Sequence, residues 1–224
     1  MPNPNNIKLN GLLLDSRDDF WFGAWGLNHY DEKTHTITSY VIDRNYPSYR
    51  VEDWPHSQRN DVYALFQAPD RSNEIWVASR GGLYRFDRVA HRFEVFHPYP
   101  ENFGESVTNT IAQHVTAVHQ DRNGTFWVGA RRGLLIFDQV HRRFSSFEPL
   151  LRPEGIFGIY EDRRGAIWIT SEVGLSKITP PAYPFTVLHD PDDSLSVFAD
   201  AAIIKSTTAG IPGRAQHRYL GWNS

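Results

Sequence analysis

The chain has 224 residues with a formal net charge of -3, and 40% of its residues are hydrophobic and 14% aromatic. It lacks a basic stripe, so we expect no nucleic-acid partner, and its apolar runs are far shorter than the roughly 20 residues that span a bilayer. The chain contains no cysteine, which excludes disulfides, thiol catalysis and Cys-based zinc sites.

The first repeating unit begins near the N-terminus. The opening residues, Met-Pro-Asn-Pro-Asn-Asn, provide neither a charged n-region nor an apolar h-region, so we expect no signal peptide in this chain. Residues 12–14 and 20–23 are predicted as strands, and the polar residues 15–19 between them as a tight turn. In this unit Asp15 lies six residues before Trp21, and the pair Gly26-Leu27 follows.

The same arrangement recurs three more times along the chain. Its members are Asp70/Trp76 with Gly82-Leu83, Asp121/Trp127 with Gly133-Leu134, and Asp162/Trp168 with Gly174-Leu175. The repeated Trp residues lie roughly 40–55 residues apart, which is the period of a β-propeller blade. In each copy, Asp, Asn and Gly separate short runs of aromatic and β-branched residues. This pattern predicts a four-stranded antiparallel meander.

We therefore predict an all-β fold, a partial β-propeller of about four four-stranded antiparallel blades plus an incomplete fifth. Residues 1–195 would hold the repeats, with blades at about 6–43, 62–99, 115–150 and 156–189. Residues 196–224 would be an aborted blade and an irregular tail, because the repeat pattern ends there. We expect the chain to be a fragment, from truncation or a frameshift, whose unclosed ring leaves an apolar face bare at each end.

Two long connections separate the first three blades. Residues 45–60 and 99–114 are rich in Pro, Asn, Ser and acidic residues, and such connections often build binding surfaces on one rim of a fold. They carry aromatic side chains that suit stacking on sugars or peptides, namely Tyr46, Tyr49, Trp54 and Phe103. We predict these four as the ligand-binding residues.

Each repeat combines three motifs, Asp-Arg-x-Gly, Trp-hydrophobic-Gly-Ala/Thr and Gly-Leu-x-x-Phe-Asp. The four copies cover roughly residues 7–195. It resembles the two-component regulator propeller repeat, which forms the sensor region of bacterial hybrid histidine kinases and of some diguanylate cyclases. The resemblance implies a periplasmic sensor module that binds a small molecule, an oligosaccharide or a peptide. It also implies further blades, a membrane span and a signalling output domain in the full-length protein.

The repeated residues are interpreted as structural. The four Trp residues are expected in the buried core between blades rather than in a sugar groove, and the repeated Asp is expected to accept from a backbone N–H two residues on. The turns between third and fourth strands contain one His each, His35, His91 and His141, too far apart to share an ion. We predict no metal site, no cofactor and no catalytic residue.

Three functions stay open. The first is the sensor or ligand-binding module, which would not be an enzyme. The second is a propeller lyase or hydrolase similar to the streptogramin lyases, which need His and Glu converging at the central channel; the repeated His residues, placed on the outer rim, argue against it. The third is a scaffold that binds another protein through one propeller face.

Overall fold

The computed structural model describes residues 9–43, 60–68, 71, 73–99, 113–147, 155–179 and 185–188. These residues form four separate four-stranded antiparallel sheets, each a meander with its strands in chain order. The all-β prediction is confirmed. Residues 196–224 lie outside the described residues, as do parts of both long connections. No helix within the described residues is long and apolar enough to cross a membrane.

Each sheet is one blade, and the blades follow one another along the chain. Blade 1 contains β1 (Asn10–Leu14), β2 (Phe20–Ala24), β3 (Gly26–Asp31) and β4 (Thr36–Tyr40). Blade 2 contains β5 (Val62–Phe66), β6 (Glu74–Ser79), β7 (Gly82–Asp87) and β8 (Arg92–Phe96). Blade 3 contains β9 (Val115–Gln120), β10 (Phe126–Ala130), β11 (Gly133–Asp138) and β12 (Arg143–Ser146). Blade 4 contains β13 (Ile156–Glu161), β14 (Ile167–Ser171), β15 (Gly174–Ile178) and β16 (Phe185–Leu188).

The repeated Asp fastens the first hairpin of a blade to its Trp. In Asp15, Asp121 and Asp162, Oδ1 accepts hydrogen bonds of 2.8–3.1 Å from the backbone N–H groups two and four residues on. Oδ2 of the same carboxylate accepts the indole N–H of the repeated Trp at 2.8–2.9 Å. The spacing of six residues therefore has a direct cause. Asp70, the remaining copy, lies outside the described residues.

A second repeated Asp shapes the turn between third and fourth strands. Asp31, Asp87 and Asp138 each accept two backbone N–H bonds from residues two and three positions on, at 2.8–3.2 Å. These bonds favour the ionised carboxylate and hold the pKa of each Asp below its ordinary value. The predicted positions of His35, His91 and His141 fall in these three separate turns.

Blades pack face to face in chain order. The Trp face of a blade carries the repeated Trp. Its socket face, on the opposite side, carries the two residues that flank that Trp and the last apolar residue of the third strand. Ring centroids of Trp21 and Phe86 lie 5.8 Å apart, and those of Trp76 and Phe126 lie 4.7 Å apart. Trp127 shares one buried cluster with Ile167, Ile169 and Ile178 of blade 4.

The first strands lie innermost, around a common axis. Strand β1 contacts β5, β5 contacts β9, and β9 contacts β13. Within the described residues β13 makes no comparable contact with β1, so the four blades form an open arc.

The fourth Trp differs from the others. Trp21, Trp76 and Trp127 are buried, as predicted, whereas Trp168 is only half-buried, which corrects that part of the prediction. All four occupy the same position on the second strand of their blade. The difference arises because no other described blade packs on the Trp face of blade 4.

Candidate functional site

One end of the arc gathers the starts of the first strands, the turns between second and third strands, and the connections between blades. We call this end the entry rim. Equivalent backbone hydrogen bonds of 3.0 Å fasten these turns to the residue before the first strand: Arg80 N–H to Asp61, Arg131 N–H to His114, and Glu172 N–H to Gly155. Each bond fixes the turn between second and third strands of one blade against the start of that blade's first strand.

A cavity of about 320 Å³ opens at the entry rim. Residues from all four blades line it: Asn10, Tyr63, His114, Thr116, Arg131, Gly155, Ile156, Phe157 and Glu172. Its position at the mouth of the central axis means that one bound molecule could contact every blade.

A β-bulge in each first strand directs side chains to this cavity. The pairing of first and second strands skips one residue in every blade, namely Gly11, Tyr63, Thr116 and Phe157. A bulge turns the skipped side chain away from the regular alternation of the strand. Three of the four skipped residues, Tyr63, Thr116 and Phe157, line the cavity. The fourth is Gly11, which has no side chain to direct there.

His114 is the most unusual polar group in the cavity. Its ring lies 4.4 Å from the ring of Tyr63, and its buried Nε2 has no hydrogen-bond partner among the described residues. Burial disfavours the imidazolium, and the guanidinium groups of Arg80 and Arg131 add to this, so the pKa of His114 falls to about 4. At neutral pH the site therefore presents an uncharged imidazole with one free nitrogen.

The neighbours of His114 provide charge of both signs. Burial raises the pKa of Tyr63, and the carboxylate of Asp61 raises it further, although Arg80 opposes this by hydrogen bonding to the Tyr63 side chain. At the exposed edge, Arg131 Nη1 lies 3.9 Å from Glu172 Oε1. Both of these side chains are about half exposed and are available to a ligand.

Phe157 adds an aromatic surface. It is 61% exposed although it is a large apolar residue on the innermost strand. An aromatic face, a free imidazole nitrogen and an Arg-Glu pair together can stack on a planar or sugar ring and hydrogen-bond its polar groups.

The predicted ligand-binding residues Tyr46, Tyr49, Trp54 and Phe103 lie outside the described residues and stay a prediction. The stems of their connections are described. Asn60 Oδ1 accepts from the backbone N–H groups of Ile42 and Asp43 at 2.9 and 2.7 Å. The equivalent Gln113 bonds both backbone groups of Tyr99. Both side-chain amides are buried. Asn60 and Gln113 directly precede Asp61 and His114, whose carbonyl groups accept the rim hydrogen bonds. The described ends of both connections therefore lie beside the cavity.

Sequence analysis missed His114, Tyr63, Arg131 and Phe157. The structure brings His114 and Glu172 to the central cavity. The prediction that the His residues lie on the outer rim was based only on the repeated His35, His91 and His141. One signal was available: His114, Tyr63 and Phe157 differ from the residues at the same position in the other blades. Bulges, however, leave no mark in an alternating strand pattern, so the direction of these side chains could not be inferred.

A larger cavity of about 730 Å³ lies at the opposite end of blade 1, between the turn after β1 and the turn after β3. Most of its lining belongs to these two turns, and Leu14, Phe20 and Tyr30 border it. No cluster of three or more His, Asp or Glu side chains suited to a metal ion occurs in the described part of the chain.

No family model matches the chain, and no curated protein matches it in sequence. Two structures of the extracellular domain of BT4673 from B. thetaiotaomicron are similar, described in one case as a hybrid two-component system and in the other as a one-component system. Their TM-scores are 0.61 and 0.63, at 16% and 20% identity. The matches cover 88% and 89% of this chain but 25% of each of those chains, so the chain spans about a quarter of their length.

Two further propellers are similar in fold. Streptogramin B lyase has a TM-score of 0.56 at 15% identity, over 83% of this chain and 55% of that chain. An auxiliary nutrient binding protein from B. thetaiotaomicron has a TM-score of 0.54 at 8% identity, over 80% of this chain and 40% of that chain. At these identities the comparisons establish the β-propeller fold and nothing finer.

Proposed function

We propose that this chain is the ligand-binding propeller part of a bacterial signalling protein of the two-component type, acting outside the cytoplasm and not as an enzyme. The observation that carries the proposal is the cavity at the entry rim, where His114 keeps a buried nitrogen without a described partner. Further blades and a signalling output domain would belong to the full-length protein.

Two independent lines support this proposal. The repeat motif resembles the two-component regulator propeller, and similar solved structures include extracellular domains of such systems. The described ends of both long connections also lie at the entry rim, beside the cavity, and these connections carry the predicted aromatic residues.

The proposed ligand is an oligosaccharide or a peptide. Phe157 would stack on it, the free nitrogen of His114 would hydrogen-bond it, and Arg131 with Glu172 would bind its polar groups at the cavity edge. The aromatic residues Tyr46, Tyr49, Trp54 and Phe103 would extend this surface.

The test is a binding screen of the 224-residue chain against oligosaccharides and peptides, by calorimetry. For any ligand found, Phe157→Ala and Arg131→Ala should each weaken binding at least tenfold. The matched control is Arg164→Ala, because Arg164 is equally exposed but lies in a first-hairpin turn at the opposite end of blade 4. Equal affinity in all three variants would place the site elsewhere.

A second candidate function, a streptogramin-type lyase, gains support from one observation: His114 and Glu172 line the same central cavity. Assays for turnover of lactone substrates and polysaccharides separate the two functions. We expect no turnover. Turnover that disappears in His114→Ala or Glu172→Gln would overturn the binding proposal in favour of the lyase.

A further inference from the structure

We propose that the cavity at the entry rim recognises a carboxylate group of its ligand, with Arg131, His114 and Tyr63 as the hydrogen-bond donors. This inference rests on the proposed ligand-binding function and narrows the chemistry of the ligand. The ligand carries the free carboxylate of a peptide C-terminus or of an acidic sugar, and a neutral sugar or a blocked peptide end binds more weakly.

Three side chains of the cavity can donate hydrogen bonds. The Tyr63 hydroxyl accepts a hydrogen bond from Arg80, which leaves its own O–H to donate. The imidazole of His114 can present an N–H at its buried Nε2, which has no partner among the described residues. Arg131 adds a guanidinium with several N–H donors. A carboxylate, which only accepts hydrogen bonds, is the complementary group.

The three donors are also close together. The rings of Tyr63 and His114 lie 4.4 Å apart. The backbone N–H of Arg131 donates to the carbonyl group of His114 at 3.0 Å, so these two residues lie side by side at the rim. One carboxylate with two oxygens can therefore accept hydrogen bonds from both blade 2 and blade 3.

The electrostatic potential around His114 favours an anion. Burial lowers the pKa of His114, and the guanidinium groups of Arg80 and Arg131 lower it further. No carboxylate of the described residues opposes this effect. The two positive charges that disfavour an imidazolium at this point would stabilise a ligand carboxylate there.

Glu172 leaves Arg131 available to such a ligand. Its Oε1 lies 3.9 Å from Arg131 Nη1, beyond hydrogen-bond distance, and both side chains are about half exposed. An exposed pair of this kind contributes little, whereas a carboxylate can form two short hydrogen bonds with one guanidinium. Glu172 can still accept from a ligand N–H or O–H at the cavity edge, but its negative charge opposes the bound carboxylate.

The cavity admits one terminal unit of a larger ligand. Its volume of about 320 Å³ is near the lower end of the range of about 300–1,000 Å³ found for ligand pockets. One amino-acid residue or one sugar ring fits this space, and the exposed ring of Phe157 provides a surface to pack against it. Closed propellers keep a central channel, so further blades would extend the arc around the axis without covering the entry rim.

The experiment is an NMR titration of the 224-residue chain with two acids and their neutral derivatives. N-acetylphenylalanine and its amide represent a peptide C-terminus, and galacturonate and its methyl ester represent an acidic sugar. We expect at least one acid to bind roughly tenfold or more tightly than its neutral derivative, as hydrogen bonds to a charged group predict. The acid that is preferred identifies the source of the carboxylate.

Three variants assign the preference to the cavity. Arg131→Gln should reduce the affinity for the preferred acid to about that for its neutral derivative. The matched control Arg132→Gln removes the same charge from the next residue, which does not line the cavity, and should bind as the parent chain does. Glu172→Gln keeps a polar side chain but removes its charge, so the preference for acid over neutral derivative should rise by about fivefold.

The proposal is overturned if neither acid is preferred, if Arg131→Gln binds the acid as tightly as the parent chain, or if Glu172→Gln lowers the preference. Neutral derivatives that bind as tightly as the acids, and that lose binding in Phe157→Ala, would overturn the carboxylate inference and leave the proposed function intact. The absence of binding by every peptide and oligosaccharide, charged or neutral, would overturn both.

Discussion

A single carboxylate organises the start of blades 1, 3 and 4. The repeated Asp uses one oxygen to close the hairpin turn and the other to hold the indole of the repeated Trp. The same residue thus fixes a local backbone conformation and orients the side chain that packs on the next blade. In the first blade, the buried Asp15 also pairs with Arg88 of blade 2 at 2.7 Å.

Replacing Asp121 should therefore destabilise the chain. Asp121→Ala removes the acceptors of two backbone N–H groups and the Oδ2 acceptor of the buried Trp127 indole N–H. We expect a loss of about 3 kcal/mol in the free energy of unfolding. Urea denaturation measures it. The control Asp138→Ala removes an exposed turn carboxylate and should cost less than about 1 kcal/mol. Similar losses in the two variants would contradict the role of the indole bond.

His114 should make stability depend on pH. The unfolded His binds a proton near pH 6.5 and the folded one only near pH 4, so between these values the unfolded chain holds more protons. The free energy of unfolding should fall as the pH is lowered through this window, by up to roughly 3 kcal/mol. Asp162, whose pKa is lowered mainly by its bond to Trp168, contributes only below its ordinary value of 3.8.

Denaturation of the parent chain and of His114→Gln from pH 7 to pH 4.5 checks this expectation. The free energy of unfolding of the variant should depend on pH much less steeply than that of the parent chain. Parallel pH profiles would show that the imidazole of His114 is protonated in the folded chain as readily as in the unfolded one.

At the scale of strands, the arc depends on how closely the second strand of one blade approaches the first strand of the next. A side chain beginning at Gly129 would meet Ile156 Cγ2 at 2.6 Å and Ala117 Cβ at 3.0 Å. The equivalent residues at the other two junctions are Gly23 and Ala78, both small. Thr170 occupies this position in blade 4 and is exposed, because no described strand packs there.

We expect Gly129→Val to separate blades 3 and 4 and to cost about 3 kcal/mol of stability, from overpacking against Ile156. The control Thr170→Val changes the equivalent residue on the uncovered face and should alter stability by no more than about 0.5 kcal/mol. Urea denaturation followed by tryptophan fluorescence gives both values. A tolerated Gly129→Val would mean that the two blades are not in close contact.

At the scale of the whole molecule, stability should be uneven. Among the described residues, blades 2 and 3 are covered on both faces and blades 1 and 4 on one each. Repeat proteins gain much of their stability from contacts between neighbours. In hydrogen exchange at concentrations that keep the chain monomeric, β2 and β14 should exchange faster than β6 and β10. Uniform protection under those conditions would contradict an open arc.

The sequence was sufficient to predict the blades because the repeated residues interact within their own blade. Asp, Trp and Gly-Leu recur at a fixed spacing, since each Asp contacts its own Trp within one hairpin. The exposure of Trp168 could not be predicted in this way, because burial of a repeated Trp depends on a neighbouring blade. The cavity was missed for a related reason: His114, Tyr63 and Phe157 meet only across blades and through bulges.

The buried amides of Asn60 and Gln113 have a consequence for engineering. Each fastens the two ends of a long connection to the blade scaffold by backbone hydrogen bonds, independently of the sequence between those ends. We therefore expect the intervening segments to be exchangeable, much as hypervariable loops are on an antibody framework. Libraries inserted between residues 43 and 60, or between residues 99 and 113, would diversify recognition while the frame that displays them stays constant.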